Sequence, residues 1–385
     1  MIDRTSLRRV QNAAAALIAG IAGFAGCTGG TEYTQTTFHP VTQYGEMLNS
    51  VFLNTFWWTM GILVLVLVLL IVAIFRFRER PGMPHPRQIH GNTQIEILWT
   101  IIPAIIVVFI GVPTVQTIFE TQRRASEDAL TIEVIGHQWW WEFNYPELGV
   151  RTANLFYVPV GRQIHLQMHS ADVIHSFWIP RIGGKRDVVP LASAHEGEEP
   201  NYNHIVFTVD SAGTYSGQCA EFCGTSHAIM MMTAVAVAPA EFDAWVESMR
   251  ASTPAPVPPD TVLPAVGDTA TVVQQPAGQP ASDPLAEQGR AIFHRSACLA
   301  CHAISNTTAQ GRVGPDLTRF GLRPTVGAGA RPNTQENVEA WIRNPRDLKA
   351  GALMPGAQED AAGFPATGLS EEEIRAVATY LRSLN

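Results

Sequence analysis

Charged side chains are scarce in this sequence. Asp, Glu, Lys and Arg make up 16% of the 385 residues, against about a quarter in an ordinary soluble chain, while 46% are hydrophobic. A chain so poor in charge is expected to contain membrane segments. Positive charge is the scarcer sign: 26 Lys and Arg against 34 Asp and Glu leave a net charge of −8. That balance argues against a nucleic-acid partner and suits an exported domain that meets a cationic or mixed-charge protein. An internal repeat, a glycine-rich phosphate loop and a Ser-His-Asp arrangement are also missing. Cysteine is sparing: of five, Cys27 lies near the N-terminus, Cys219 pairs in sequence with Cys223, and Cys298 with Cys301. None is left for a structural disulfide, and the chemistry the sequence declares is redox.

Another absence divides the chain. Residues 251–283 hold seven prolines and no aromatic, Lys or Arg. Such a segment cannot bury enough apolar surface to fold and reads as a linker. As coil it reaches roughly 30 Å, as polyproline about 100 Å. It separates residues 128–250 from a C-terminal domain at 284–385.

At the N-terminus, Arg4, Arg8 and Arg9 precede an apolar run of 14 residues, 13–26, and then Cys27. The run is too short to span a bilayer but suits a signal-peptide core over 1–26. Phe24-Ala-Gly-Cys27 is similar to a lipoprotein processing site, so Cys27 is a candidate for lipidation; ordinary cleavage nearby is the alternative. Within 27–127, two uncharged apolar stretches predict transmembrane helices over about 52–76 and 96–119. Arg76, Arg78, Arg80 and Arg87 lie between them, which places that loop in the cytoplasm and both termini outside. Glu96 opens the second helix, where a helix-start carboxylate at the interface costs little.

From about 130 to 237 the pattern becomes short alternating runs, 130–135, 163–168, 204–209 and 233–237, broken by Gly, Pro, Asn and Asp. This predicts an antiparallel β sandwich or barrel. Between and at the ends of these runs fall Cys219, Cys223, His227 and Met230, a soft donor set that suits copper better than magnesium or calcium. Zinc, or a plain disulfide between the two cysteines, would also use part of this set. Residues 139–143 concentrate Trp139, Trp140, Trp141 and Phe143, residues that more often pack than carry chemistry. The acidic run 196–199 reads as a solvated loop. His137, His165, His169, His195 and His204 have no ligand pattern. Near the C-terminus, Cys298-Leu-Ala-Cys301-His302 is a c-type haem attachment motif, with two thiols to add to the haem vinyl groups and an imidazole for the iron. Met354, between Leu353 and Pro355, is the candidate second axial ligand. Ser370 and Glu373 predict a capping box on a final helix.

Asp172-Val-Ile-His175 together with Gln218-Cys-Ala-Glu-Phe-Cys-Gly-Thr-Ser-His-Ala-Ile-Met230 resembles the binuclear copper centre, CuA, of cytochrome c oxidase subunit II. The C-terminal segment resembles a class I cytochrome c. The resemblance implies a two-helix transmembrane hairpin, an all-β cupredoxin-like Greek-key barrel and an all-α cytochrome c domain. It implies that Cys219 and Cys223 bridge two coppers, that His175 and His227 are terminal ligands, that Met230 is a weak ligand, and that Glu221 binds through its backbone carbonyl. The side chain of Glu221 would reach a magnesium or manganese ion shared with subunit I, and Asp172 would face the same subunit. Lys185 and Asp187 fall near that face as surface residues. Trp139 matches an exposed Trp through which electrons pass to copper, and Glu96 matches a carboxylate at the mouth of a proton-uptake path.

The implied function is to take electrons from an external donor, such as a soluble cytochrome c or a quinol-oxidising complex. Haem c passes them to CuA and on to the haems of subunit I, where oxygen is reduced to water and protons are translocated. Subunit I and subunit III are the implied partners. The location is the bacterial inner membrane, with both folded domains on the periplasmic face. A membrane-anchored carrier for another reductase, such as nitrous-oxide reductase, and a copper-storage or assembly factor are the rival readings.

Overall fold

The computed structural model describes residues 35–79, 81–82, 91–191, 202–250, 283–359 and 366–385. The expected signal segment 1–26, Cys27, Arg80, Arg87, His195, the acidic run 196–199 and the linker up to residue 282 lie outside the described residues.

Two long helices come first, α1 (Gln43–Arg76) with 34 residues and α2 (Thr93–Thr121) with 29. At about 1.5 Å per residue, either is longer than the roughly 30 Å hydrocarbon core of a bilayer. Their aliphatic side chains face outward, with Val64 59% and Leu69 58% exposed, as suits helices long and apolar enough to cross a membrane. Trp58 stacks on Phe109 at 5.7 Å between the helices.

Helix α1 begins well before residue 52, because apolarity marks only the part that sits in the bilayer. Its start is set by Thr42, whose side chain accepts from Gly45 N at 2.9 Å and whose hydroxyl donates to the Ile182 carbonyl. The helix is thereby pinned to the β domain. At the start of α2, Asn92 accepts from Gln94 N and Ile95 N, while the Glu96 carboxylate accepts from Asn92 N at 3.3 Å. The reciprocal pair caps the helix.

Among the described residues the β domain has ten strands: β1 (Leu130–His137), β2 (Trp140–Tyr145), β3 (Val150–Ala153), β4 (Leu155–Pro159), β5 (Gln163–Ser170), β6 (His175–Trp178), β7 (Arg186–Val188), β8 (Asn203–Thr208), β9 (Gly213–Cys219) and β10 (Met231–Val237). They form two sheets, β3-β2-β1-β5-β8 and β4-β10-β9-β6-β7. Alternation in β1 and β5 buries Leu130, Ile132, Val134, Ile164, Leu166 and Met168 between the sheets.

The sandwich is not wholly antiparallel: β1 pairs with β5, and β4 with β10, in parallel. After β3 the chain crosses to the second sheet at β4 before returning as β5, and that crossover reverses the direction a hairpin would give. The result is a cupredoxin-like β domain. Helix α3 (Pro239–Arg250) closes one end, with Trp245 stacked on Tyr157 at 4.7 Å.

The C-terminal domain comprises α4 (Pro284–Arg295), α5 (Cys298–Cys301), α6 (Gln335–Arg343), α7 (Pro345–Leu348), α8 (Glu371–Arg382) and a small ribbon of β11 (Thr325–Val326) with β12 (Arg331–Pro332). Helices α4 and α8 cross at Gly289, where a Cβ would overlap the Ala376 carbonyl. Ser370 Oγ accepts from Glu373 N at 3.3 Å and the Glu373 carboxylate accepts from Ser370 N at 3.0 Å, which is the expected capping box.

Candidate functional site

The turn 219–230 gathers its donors against one end of the second sheet. Cys219 ends β9, His175 opens the neighbouring β6, and Cys223, His227 and Met230 lie on the connection into β10. Cys219 Sγ is 3.8 Å from Cys223 Sγ and 3.9 Å from His175 Nδ1. Cys223 Sγ is 3.6 Å from His227 Nδ1 and 3.8 Å from Met230 Sδ. The Glu221 carbonyl oxygen lies 3.2 Å from Cys219 Sγ, and the Glu221 residue is exposed. A disulfide has sulfurs about 2.05 Å apart, so the two thiols are free and the disulfide alternative falls.

Electrostatics favour a cation here. The hydrogen bond from Cys223 is the largest influence pulling Cys219 well below the usual thiol range, and the same contact together with burial pushes Cys223 above it. The pair holds one negative charge readily, and a nearby cation would favour the second ionisation.

His175 is already oriented for such a centre. Its Nε2 sits 2.8 Å from Asp172 Oδ1, which makes Nε2 the protonated nitrogen and turns the Nδ1 lone pair toward Cys219. Asp172 is fixed in turn by Gln138 N, which donates to its Oδ2 at 2.7 Å. Gly136 leaves room for the imidazole: a Cβ there would lie 2.7 Å from the ring. Trp141, fully buried, meets His175 edge-on at 5.8 Å. Sequence reasoning placed Asp172 at a partner surface and missed this orienting contact, although an Asp three residues before a ligand-type His was visible. Lys185 and Asp187 are exposed.

Trp139 is not at the surface. It is 9% exposed, because the C-terminal domain sits over it. Lys349 Nζ donates to the Trp139 carbonyl at 2.6 Å, and Gly351 lies so close that a Cβ would be 2.8 Å from the indole. Burial holds the Lys349 amine down at about 7. On its inner side Trp139 Nε1 donates to the Cys223 carbonyl at 2.9 Å, which also accepts from Gln138 Nε2 at 2.8 Å. Trp140 stacks flat on His137 at 4.1 Å. His137 bonds Glu142, His169 lies beside Glu133, and His165 meets His204 edge-on, so these imidazoles have structural neighbours.

Beyond Trp139 opens an apolar cleft shared by both domains. Cys298, Cys301, His302, Met354, Trp341 and Arg323 line one side, with Trp139 and Trp140 on the other. His302 Nδ1 lies 2.8 Å from the Pro315 carbonyl, so Nδ1 carries the proton and Nε2 keeps its lone pair. Trp341 Nε1 donates to Met354 Sδ at 3.1 Å. Arg323, 4% exposed, keeps an unpartnered Nε, a buried cation suited to an acidic group on the occupant. Two free thiols, an imidazole with a free lone pair, a thioether and this cation fit a covalently held haem.

Most of the chain has clear relatives. The family model for "Cytochrome C oxidase subunit II, transmembrane domain" matches residues 36–117, that for "Cytochrome C oxidase subunit II, periplasmic domain" matches 148–237, and that for "Cytochrome c" matches 286–385. The cytochrome c oxidase subunit 2 of Alkalihalophilus pseudofirmus is 37% identical over 315 residues, covering 80% of this chain and 79% of that protein. That of Bacillus sp. strain PS3 is 33% identical over 324 residues, with 80% of each chain covered. The oxidase and cytochrome c domains imply a copper CuA centre and haem c, for which the two donor sets described above are suited. The two apolar helices and the oxidase domains mark a two-pass membrane protein with a periplasmic domain.

Proposed function

This chain belongs to the cytochrome c oxidase subunit II family, with a cytochrome c domain at its C-terminal end, and we propose that it is the subunit through which a bacterial haem-copper oxidase takes in electrons. Electrons come from an external donor, a soluble cytochrome c or a quinol-oxidising complex, to the C-terminal domain. They pass the Trp139 region to the β domain and leave for the haems of subunit I, where oxygen is reduced and protons are translocated. Cys298 and Cys301 would hold haem c as thioethers, with His302 and Met354 on its iron. His175, Cys219, Cys223, His227, Met230 and the Glu221 carbonyl would hold two coppers. When bound, these groups supply one-electron transfer with little change of geometry.

The residues of the chain do the positioning. Asp172 keeps the His175 lone pair aimed at Cys219, and Trp341 holds the Met354 sulfur. Exposed Glu221 is suited to a magnesium or manganese ion shared with subunit I, and Asp172 to the same face. Glu96, at the start of α2, would serve proton uptake from the cytoplasm. Both folded domains then stand on the periplasmic side of the inner membrane, beside subunits I and III.

The observation that carries this reading is the position of Trp139, with its indole bonded to the Cys223 carbonyl at 2.9 Å and its ring on the wall of the haem-type cleft. In the purified oxidase, Trp139→Phe removes that bond while keeping an aromatic ring. Transfer from the C-terminal domain to copper, followed after flash reduction, is expected to slow at least roughly tenfold, as misplacing a reacting path commonly does. Unchanged transfer would remove Trp139 from the route.

A further inference from the structure

Beside the apolar cleft, the two folded domains are joined by hydrogen bonds that run mostly from side-chain donors of one domain to main-chain carbonyls of the other. At the cleft end, Lys349 Nζ donates to the Trp139 carbonyl at 2.6 Å and to the Gly327 carbonyl of its own domain at 2.8 Å. Ser226 Oγ donates to the Ala350 carbonyl at 2.6 Å, and Met231 N to the Ala328 carbonyl at 2.9 Å. At the other end, Arg319 donates through Nε to the Ser248 carbonyl at 2.9 Å and also through Nη2, and Asn306 Nδ2 donates to the Arg250 carbonyl at 2.7 Å.

Lys349 is the unusual member. It is 4% exposed and makes no ion pair among the described residues, although a buried amine without a carboxylate is costly. Packing alone does not call for it, since an apolar chain of equal length would fill the space. Its three N–H groups do one thing a hydrocarbon cannot: they satisfy two carbonyls on opposite sides of the interface. One of these belongs to Trp139, the residue on which the proposed electron route depends.

We propose that Lys349 is a positioning residue that latches the C-terminal domain over Trp139, so that the tethered domain occupies the intake face of the copper site and keeps other donors off it. The inference rests on the electron route proposed above. In the docked arrangement an external donor reaches copper only by way of the C-terminal domain, because the indole that would otherwise receive it is covered on the outside by Gly351 and Lys349. Arg319 and Asn306 form a second anchor next to the end of α3, which limits how far the domain swings when the first is released.

The test uses the complete oxidase with both redox groups loaded. Lys349→Met keeps the length of the side chain and removes the donor, leaving the Trp139 carbonyl unpaired at the interface. Haem-to-copper transfer after flash reduction is expected to slow roughly tenfold and to become dependent on solvent viscosity, as re-docking begins to limit it. Hydroxyl-radical footprinting is expected to show Trp139 protected in the wild type and oxidised in the variant, while the haem and copper spectra stay as they were. A variant with normal spectra, a wild-type rate and a protected Trp139 overturns the latch.

The footprint separates the latch from the route. A wild type in which no transfer occurs refutes the route, and the protection of Trp139 still decides the latch. Arg319→Gln, outside the cleft, is the companion should Lys349→Met lose its haem. It is expected to raise Trp139 oxidation about two- to threefold, in line with weakening of the paired Arg319 bonds to the Ser248 carbonyl, and no change there overturns the docking.

Discussion

Around the turn 219–230 the donor atoms already lie together, with one ligand atom each of Cys219, Cys223 and His175 within 4.8 Å of one another and an aromatic core of Trp141, Phe143, Phe156 and Phe177 behind them. In the C-terminal domain the corresponding residues ring a cleft, and Phe320, Val326, Val338, Ile342 and Leu381 line it with apolar side chains. The difference shows what each bound group is to its domain. Copper would sit at the edge of a packed core; haem would be enclosed by apolar side chains, several of which also belong to the core of its own domain.

The strongest way to break this comparison is to withhold the haem. With Cys298→Ala and Cys301→Ala together, the C-terminal domain is expected to lose its cooperative melting transition while that of the β domain persists; calorimetry and limited proteolysis report the two separately. A haem-free C-terminal domain that melts as sharply as the loaded one would erase the contrast.

On the copper side the expected effect is on the site rather than the fold. Asp172→Asn weakens the grip on His175, and copper affinity is expected to fall about 10–100-fold, measured by competition with a chelator, with little change in the melting of the metal-free domain. A large drop in melting would mean that this site, too, is part of the core.

The smallest expected effect concerns acid. Burial works to raise Glu142, but its hydrogen bond with His137 and the Arg151 charge prevail and hold it below the ordinary glutamate value of 4.5. A carboxylate held low contributes stability above its unfolded pKa and loses it as pH falls through the folded one. The stability gap between wild type and Glu142→Gln should therefore be full at pH 7 and close as the pH drops below about 4.5, followed by denaturant unfolding. A gap independent of pH would show that the pairing does not stabilise the sheet.

Much of this was legible in the sequence, and the exceptions have physical reasons. The runs that became β1, β5, β8 and β10 alternate because each has one face in the core. Strand β2 does not: Trp141, Glu142 and Phe143 are buried in succession, since neighbours cover both faces. Strand β9 carries Gly217, where a Cβ would meet the Trp178 carbonyl at 2.6 Å, so packing overrode poor strand propensity. Donor types and spacing announced the two redox sites. Lys349 was invisible because a lone lysine reads as solvated surface, and its partner Trp139 lies 210 positions away in the chain.

The few hydrogen bonds that join the two domains suit partners that are already covalently connected through residues 251–282. Two free proteins must pay the full loss of translational freedom on association, which drives lasting interfaces toward large apolar areas. Here the chain itself holds the partners at an effective concentration on the order of millimolar. Under the proposed latch, a contact made of a few donors on main-chain carbonyls can then suffice where separate molecules would need a larger surface. Doubling the connection would change the closing term by only about 0.6 kcal/mol, so its length is under little constraint. The specific contacts lie instead at the two ends of the interface, at Lys349 and at Arg319.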